Sequence, residues 1–372
     1  MFEGAGLRLH TLTYKTVDGV DITADVGIPP NPVQDVDKQL PLVPGSTLPA
    51  QQQQQTNYER GDMKQRGRPL LLFVHGGGLV AGNKLGWLPA WLMKDAFDKG
   101  FIVLSPDYSL LLPCTAHDAL QDVKDLWQWI HSQLNPLLSR LGVADKDQVD
   151  LDRIVVTGAS AGGLLTWWFG YQVEPTPKAL APIYPGGGAL IADHYLQTKP
   201  PETWLPDKTP RPDRLSQQEV YDIEHSSTRV VRTDVQGSGL RRALYFPLCL
   251  GRGDYIDVFT GQQGLSANLR SMSTLEQRQK SIPKQHCKIF PELAKIEKGK
   301  FPPTIYVHGL ADDGVLIQES RAMKRKLDSA GVECVAVEIP GKGHGFDLIY
   351  KDSRECPGLD KVVPFLWKHI SN

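Results

Sequence analysis

The chain has 372 residues, a formal net charge of −1 and five cysteines, with enough hydrophobic residues (41%) to bury a sizeable core. That length is long for one ordinary domain and suits an α/β core carrying a large insertion. A charge near zero leaves no footprint for nucleic acid or an anionic membrane, and no apolar run approaches the roughly 18 residues of a membrane span. The cysteines (Cys114, Cys249, Cys287, Cys334, Cys356) are odd in number, scattered and without C-x-x-C spacing. They argue against a disulfide framework or zinc site and fit a reducing compartment. Residues 1–6 have no basic or apolar signal region, so a cytoplasmic protein of unknown oligomeric state is expected. Residues 8–28 alternate apolar and polar around Val17-Asp18-Gly19-Val20, a hairpin signal. From Pro29 to Pro69 prolines recur and Gln51 to Gln55 is homopolymeric. The stretch at about 30–68 reads as an exposed, partly disordered loop with no catalytic role.

Leu70-Leu71-Leu72-Phe73-Val74 then reads as a buried strand, ending in His75-Gly76-Gly77-Gly78. Phe101 to Leu104 is the next strand, followed by Ser105-Pro106-Asp107-Tyr108, where Asp107 reads as structural. Ala116 to Leu134 has helical periodicity in Leu120, Val123, Leu126, Trp127 and Ile130. Arg153 to Thr157 is an apolar run that delivers Gly158-Ala159-Ser160-Ala161-Gly162, and Gly163 to Phe169 reads as a buried helix. Strand, G-x-S-x-G and helix form the context of a nucleophile elbow, a turn so sharp that only small residues fit around the serine. Leu180 to Tyr184 is a sixth strand. Residues 186–301 follow, rich in Pro, Arg, Gln and isolated aromatics such as Tyr195, Tyr245, Phe246, Tyr255 and Phe259, with no sheet-like pattern.

Two more strands close the chain. Thr304 to Val307 ends in His308-Gly309-Leu310-Ala311-Asp312-Asp313, which offers two carboxylates. The H-G-x-x-D spacing favours Asp312; Asp313 is the fallback, or caps the helix expected from Leu316 to Ala330. His308 reads as a loop-packing residue. Val335 to Ile339 leads to Gly341-Lys342-Gly343-His344-Gly345-Phe346, where glycines frame a histidine beyond a strand. Asp360 to His369 reads as the closing helix. The chain order is glycine loop, Ser160, Asp312, His344, the order of a Ser-Asp-His triad on an α/β-hydrolase sheet.

These motifs resemble the α/β-hydrolase superfamily, close to the hormone-sensitive-lipase-like esterases with their H-G-G-G loop. The region of Asp312 and His344 is similar to the prolyl-oligopeptidase branch. The resemblance covers about 69–185 and 302–370. It implies a mostly parallel central sheet flanked by helices, with core parts at 1–185 and 302–372 and a mainly helical cap at 186–301. It also implies that Gly76 and Gly77 donate to the oxyanion, joined by the N–H of Ala161, and that His75 orders the loop. The expected function is a serine carboxylic-ester hydrolase using Ser160, Asp312 and His344 on a bulky or specialised small-molecule ester or lactone, without metal or organic cofactor. Other acyl transfer (amide or peptide cleavage, or transfer to an alcohol or amine) and a non-hydrolytic role in the same pocket are the alternatives. Two departures weaken a subfamily assignment: Ala159 stands where many of these esterases carry an acidic residue, and Ser109-Leu110-Leu111-Leu112-Pro113 replaces a longer loop.

Overall fold

The computed structural model describes residues 7–30, 67–200, 215–234 and 238–371. The low-complexity stretch expected at about 30–68 lies, but for its ends, outside the described residues. Among the described residues eight strands form one sheet, in the order β1-β2-β4-β3-β5-β6-β7-β8. They are β1 (Arg8–Val17), β2 (Val20–Ile28), β3 (Arg68–Val74), β4 (Ile102–Pro106), β5 (Val149–Ala159), β6 (Ala179–Ile183), β7 (Thr304–Gly309) and β8 (Cys334–Ile339). β1 and β2 form the expected hairpin, closed at Val17 opposite Val20. β2 is antiparallel to β4, and the later pairs are all parallel.

The helices that matter for the site are α1 (Ala90–Asp98), α2 (Ala116–Trp129), α3 (Ala161–Phe169), α4 (Tyr245–Arg252), α5 (Tyr255–Thr260), α6 (Ile317–Ser329) and α7 (Val362–Lys368). Parallel strands covered on both faces need no polar alternation, and β3 is buried along its whole length. Its side chains alternate in destination instead. Leu70, Leu72 and Val74 join an apolar cluster with Trp127 of α2 and Trp167 and Trp168 of α3. Leu71 and Phe73 join a second cluster with Trp91 of α1 and Val363 and Leu366 of α7. Between β6 and β7 the described residues form short helices, α4 and α5 among them, and no strand.

Two elements differ from their expected lengths. β5 begins at Val149 rather than Arg153, because Asn135 bonds both the N–H and the carbonyl of Val149 and ties this end down. The helix expected to run to Leu134 leaves α-geometry after Trp129 and passes through a wider turn at Ile130–Leu134 before a short helix at Asn135–Arg140. Pro136, at the start of that helix, lacks the N–H that an uninterrupted α-helix would use there. Among the described residues no helix is long and apolar enough to cross a membrane. All five cysteines are free thiols.

Candidate active site

Parallel strands deliver their following loops to one edge of the sheet, so β3, β5, β7 and β8 bring four loops together. Ser160 leaves β5 in a strained conformation, φ +58° and ψ −117°, and is the residue before the first turn of α3. The turn is possible because Gly158 and Gly162, two residues to either side, carry only hydrogen. A Cβ on Gly158 would sit 2.4 Å from the Gly162 carbonyl oxygen, and one on Gly162 would sit 2.0 Å from that of Val74. Ser160 N–H donates to the Ile183 carbonyl at 2.9 Å, which ties the elbow to the end of β6.

His344 lies in the loop after β8, with its Nε2 2.9 Å from Ser160 Oγ and its Nδ1 2.8 Å from Asp312 Oδ2. A carboxylate only accepts, so Nδ1 carries the proton and Nε2 is left to accept from the serine hydroxyl. Asp312 is 6% exposed. Its Oδ1 accepts the N–H groups of Gly314 and Val315 at 3.0 and 2.9 Å. Burial pushes its pKa up, but the positive charge His344 carries when protonated and hydrogen bonds from His308 and His344 outweigh it and hold the carboxyl well below the usual range. The structure thus joins Asp312, not Asp313, to His344. Asp313 is exposed, and it does not cap the following helix, which has no side-chain cap and begins at Ile317. The loop N–H groups go to Asp312 instead.

His308 is fully buried, its Nε2 2.8 Å from the Val315 carbonyl and 3.3 Å from Asp312 Oδ2, and its Nδ1 2.8 Å from Ser320 Oγ. It packs the loop, as expected, and also braces the carboxylate. His75 is buried and stacked on Tyr108 with ring centroids 4.3 Å apart, while its Nδ1 reaches the Gly76 carbonyl at 2.8 Å. Burial lowers its pKa to about 4, so the ring is neutral near pH 7. Gly76 lies against the serine: a Cβ there would be 3.2 Å from Ser160 Cβ. Gly77 has φ +114°, and a Cβ on it would be 2.0 Å from the Ala81 carbonyl oxygen. Ala161 is the first residue of α3, whose N-terminus is the positive end of the helix dipole. Asp107 is structural, bonded to the Lys84 N–H and the Thr23 hydroxyl.

Several neighbours were not visible in the sequence pattern. Tyr184 and Trp87 pack on the His344 ring, with centroids 4.7 and 5.9 Å away. Asp347, just beyond the Gly-His-Gly-Phe motif, bonds Tyr184. The β6–β7 segment reaches two of the loops: Phe246 covers Gly78, Tyr255 Oη donates to the Gly78 carbonyl at 3.2 Å, and His194 Nε2 lies 3.1 Å from the Gly314 carbonyl. The start of that segment is held by two glutamates, Glu319 buried and Glu292 half-buried. Glu319 accepts the N–H of Gly187 at 2.6 Å and the Tyr195 hydroxyl, and Glu292 accepts those of Leu190 and Ile191 at 2.5 and 3.1 Å. Burial first, and for Glu292 the nearby Glu319, push these carboxyls up, Glu319 to about 7 and Glu292 to about 8. A cavity of about 1040 Å³ opens elsewhere, between Lys84, Asp107, residues such as Glu219 and Thr233, and the pair Arg241 and Arg242, and is lined by none of Ser160, Asp312 and His344. Among the described residues no three His, Cys, Asp or Glu side chains converge as a metal site.

Two family profiles match successive parts of the chain: one described as alpha/beta hydrolase fold over residues 71–244, one described as prolyl oligopeptidase family over residues 248–372. The probable carboxylesterase M8 of Phoma sp. is 40% identical over 101 residues, which are 27% of this chain and 31% of that protein. The non-reducing polyketide synthases atr1 of Stereocaulon alpinum and Preu6 of Preussia isomera are 24% and 25% identical over 94% and 96% of this chain. Those stretches are only 12% and 15% of the synthases, so this chain spans less than a third of each of these relatives. Among solved structures, an esterase of Pyrobaculum calidifontis matches with a TM-score of 0.56 at 17% identity, covering 99% of this chain and 87% of that one. A study of two fungal esterases from Rhizomucor miehei supplies another, with a TM-score of 0.57 at 15% identity over 98% and 84%. At such identities the likeness is one of fold.

Proposed function

As this chain belongs to the α/β-hydrolase superfamily, we propose that it is a serine hydrolase that cleaves carboxylic esters. The observation that carries this reading is the unbroken line of hydrogen bonds from Asp312 through His344 to Ser160, 2.8 and 2.9 Å long. Nε2 of His344 takes the hydroxyl proton as Ser160 Oγ bonds to the acyl carbon. The carbonyl oxygen gains negative charge, which the N–H groups of Gly76, Gly77 and Ala161 receive. His344 returns the proton to the departing alkoxide, and an acyl-enzyme remains. Water then attacks with His344 as base, and the acid leaves. Asp312 stays ionised throughout, holding the imidazole in the Nδ1–H tautomer and balancing its positive charge.

Residues 186–301 act as a cap over the core formed by 1–185 and 302–372. Their contacts on Gly78 and Gly314 support this, since those glycines belong to the loops that carry the oxyanion donors and the acid. A cap of that size fits a bulky or specialised small-molecule ester or lactone met in the cytoplasm. A second reading, cleavage of an acyl thioester, rests on the match of nearly the whole chain to a domain-sized part of two polyketide synthases. The same serine attacks either carbonyl.

Intact-protein mass spectrometry after treatment with a fluorophosphonate tests the nucleophile. One adduct is expected on the wild type and none on Ser160→Ala or His344→Ala. A folded wild-type protein that takes no adduct, or a Ser160→Ala variant that still does, would overturn the reading. Matched oxoesters and thioesters then divide the two substrate classes: a kcat/KM more than tenfold higher for thioesters would favour the second.

A further inference from the structure

His344 is packed against two aromatic rings as well as held at its two nitrogens. The rings beside it differ: Trp87 is half-buried, whereas Tyr184 is completely buried. Tyr184 lies at 59° to the imidazole, and its hydroxyl donates to Asp347 Oδ1 at 2.6 Å. The other oxygen of Asp347 accepts the indole N–H of Trp91 in α1 at 3.1 Å. Asp347 is itself fully buried and sits in the helical turn Phe346–Ile349, directly after the histidine. A carboxylate on the histidine's own loop therefore holds the ring on which that histidine rests. Tyr184 is fixed from the other side too. Its backbone is held at φ +33°, and its N–H donates to the Val307 carbonyl at 2.6 Å.

We propose that Asp347 is a positioning residue for the reaction at Ser160. Through Tyr184 it sets the plane of the His344 imidazole, and its carboxylate supplies a second negative charge behind that ring when Nε2 takes the serine proton. The inference rests on the serine-hydrolase reading. The electrostatic part is consistent with the groups that face Asp347 from each element packed on it: Tyr184 from the end of β6, Trp91 from α1 and His344 from its own loop. Burial raises the Asp347 pKa, while both hydrogen bonds and the imidazolium favour its ionised form. His344 in turn faces Asp312 and the exposed Asp313 as well as Asp347. Asp347 takes no proton in the step. The proton moves from Ser160 Oγ to His344 Nε2 and on to the leaving group.

Asp347→Asn, Tyr184→Phe and Tyr184→Leu separate the parts. An Asn side chain can still accept from Trp91 and donate to the Tyr184 oxygen, so Asp347→Asn removes the charge and keeps the bonds. Tyr184→Phe keeps the ring and removes its tether, and Tyr184→Leu removes the ring. With a short p-nitrophenyl ester, Asp347→Asn is expected to lower kcat roughly 10- to 100-fold with KM little changed. It should also move the acid limb of the pH–rate profile to lower pH, because the imidazolium loses a counter-charge. Tyr184→Leu should lose more than Tyr184→Phe. The low-field proton resonance of His344 Nδ1–H should shift or broaden in all three.

A folded Asp347→Asn or Tyr184→Phe protein with wild-type kcat, an unmoved acid limb and an unchanged resonance overturns the proposal, as does a loss confined to KM or to thermal stability. If the wild type itself neither hydrolyses esters nor takes the fluorophosphonate, the hydrolase reading falls separately. The resonance then decides the positioning role alone.

Discussion

Asp312 and Glu319 are close in sequence and both buried, at 6% and 2% exposure, yet their carboxyls are shifted in opposite directions. Asp312 faces an imidazole able to carry positive charge, and its carboxyl is held down. Glu319 faces only neutral donors (the N–H groups of Gly187 and Gly188 and the Tyr195 hydroxyl), with Glu292 nearby, and its carboxyl is pushed up. Depth alone therefore does not decide whether a carboxylate keeps its charge; what matters is whether a partner can carry the opposite one. The first arrangement suits a group that must remain an anion beside a reacting centre. The second suits a cross-link between α6 and the start of the β6–β7 segment.

The largest expected break in this comparison is Asp312→Asn. Removing the charge while keeping the shape should lower kcat roughly 10⁴-fold, with the wrong imidazole tautomer as the cause. Steady-state kinetics on a short ester reads it, and a loss under tenfold would mean that another group supplies the charge.

A smaller effect is expected in the dependence of stability on pH. The depressed Asp312 carboxyl adds stability above its ordinary value near 4 that is lost as pH falls below it. The raised carboxyls of Glu319 and Glu292 act the other way: folding favours their protonated forms, so stability is present at acidic pH and lost as pH rises through about 7 to 8. The melting temperature should therefore fall from about pH 5 to about pH 8 and level off above it. Glu319→Gln should flatten that fall by roughly 2–4 °C, as calorimetry across the range would record. An equal fall in wild type and variant would show that Glu319 does not titrate there.

The smallest effect is expected beside the first. Asp313→Asn should change kcat/KM by less than about twofold, since an exposed charge is well screened. A large drop in activity would mean that the choice between the two neighbouring aspartates has been drawn from the wrong contact.

Much of the sheet was legible because buried parallel strands leave continuous apolar runs, as at Leu70–Val74 and Thr304–Val307. The elbow was legible because its steric demands fall on residues adjacent in sequence, Gly158 and Gly162. The spacing after His308 likewise pointed to Asp312. What could not be read depends on distant partners. Tyr184 meets Asp347 from the far side of the insertion, and nothing local to either residue marks the pair. The capping role considered for Asp313 failed because Asp312 takes the loop's N–H groups itself. The end of α2 was missed because a wider helical turn at Ile130–Leu134 preserves nearly the same apolar spacing as an α-turn. The helical character of the β6–β7 segment was anticipated, but the contacts of Phe246 and Tyr255 with Gly78 arise only when that segment folds back over the sheet.

Trp87 adds an optical consequence. Its indole meets the His344 ring edge-on at 5.9 Å and remains half-exposed. A protonated imidazole withdraws electron density from an excited indole and quenches its emission far more than the neutral ring does. Trp87 emission is therefore expected to report the histidine's charge, read as the difference between wild type and Trp87→Phe during a single turnover, with no label attached; identical traces from the two proteins would refute this.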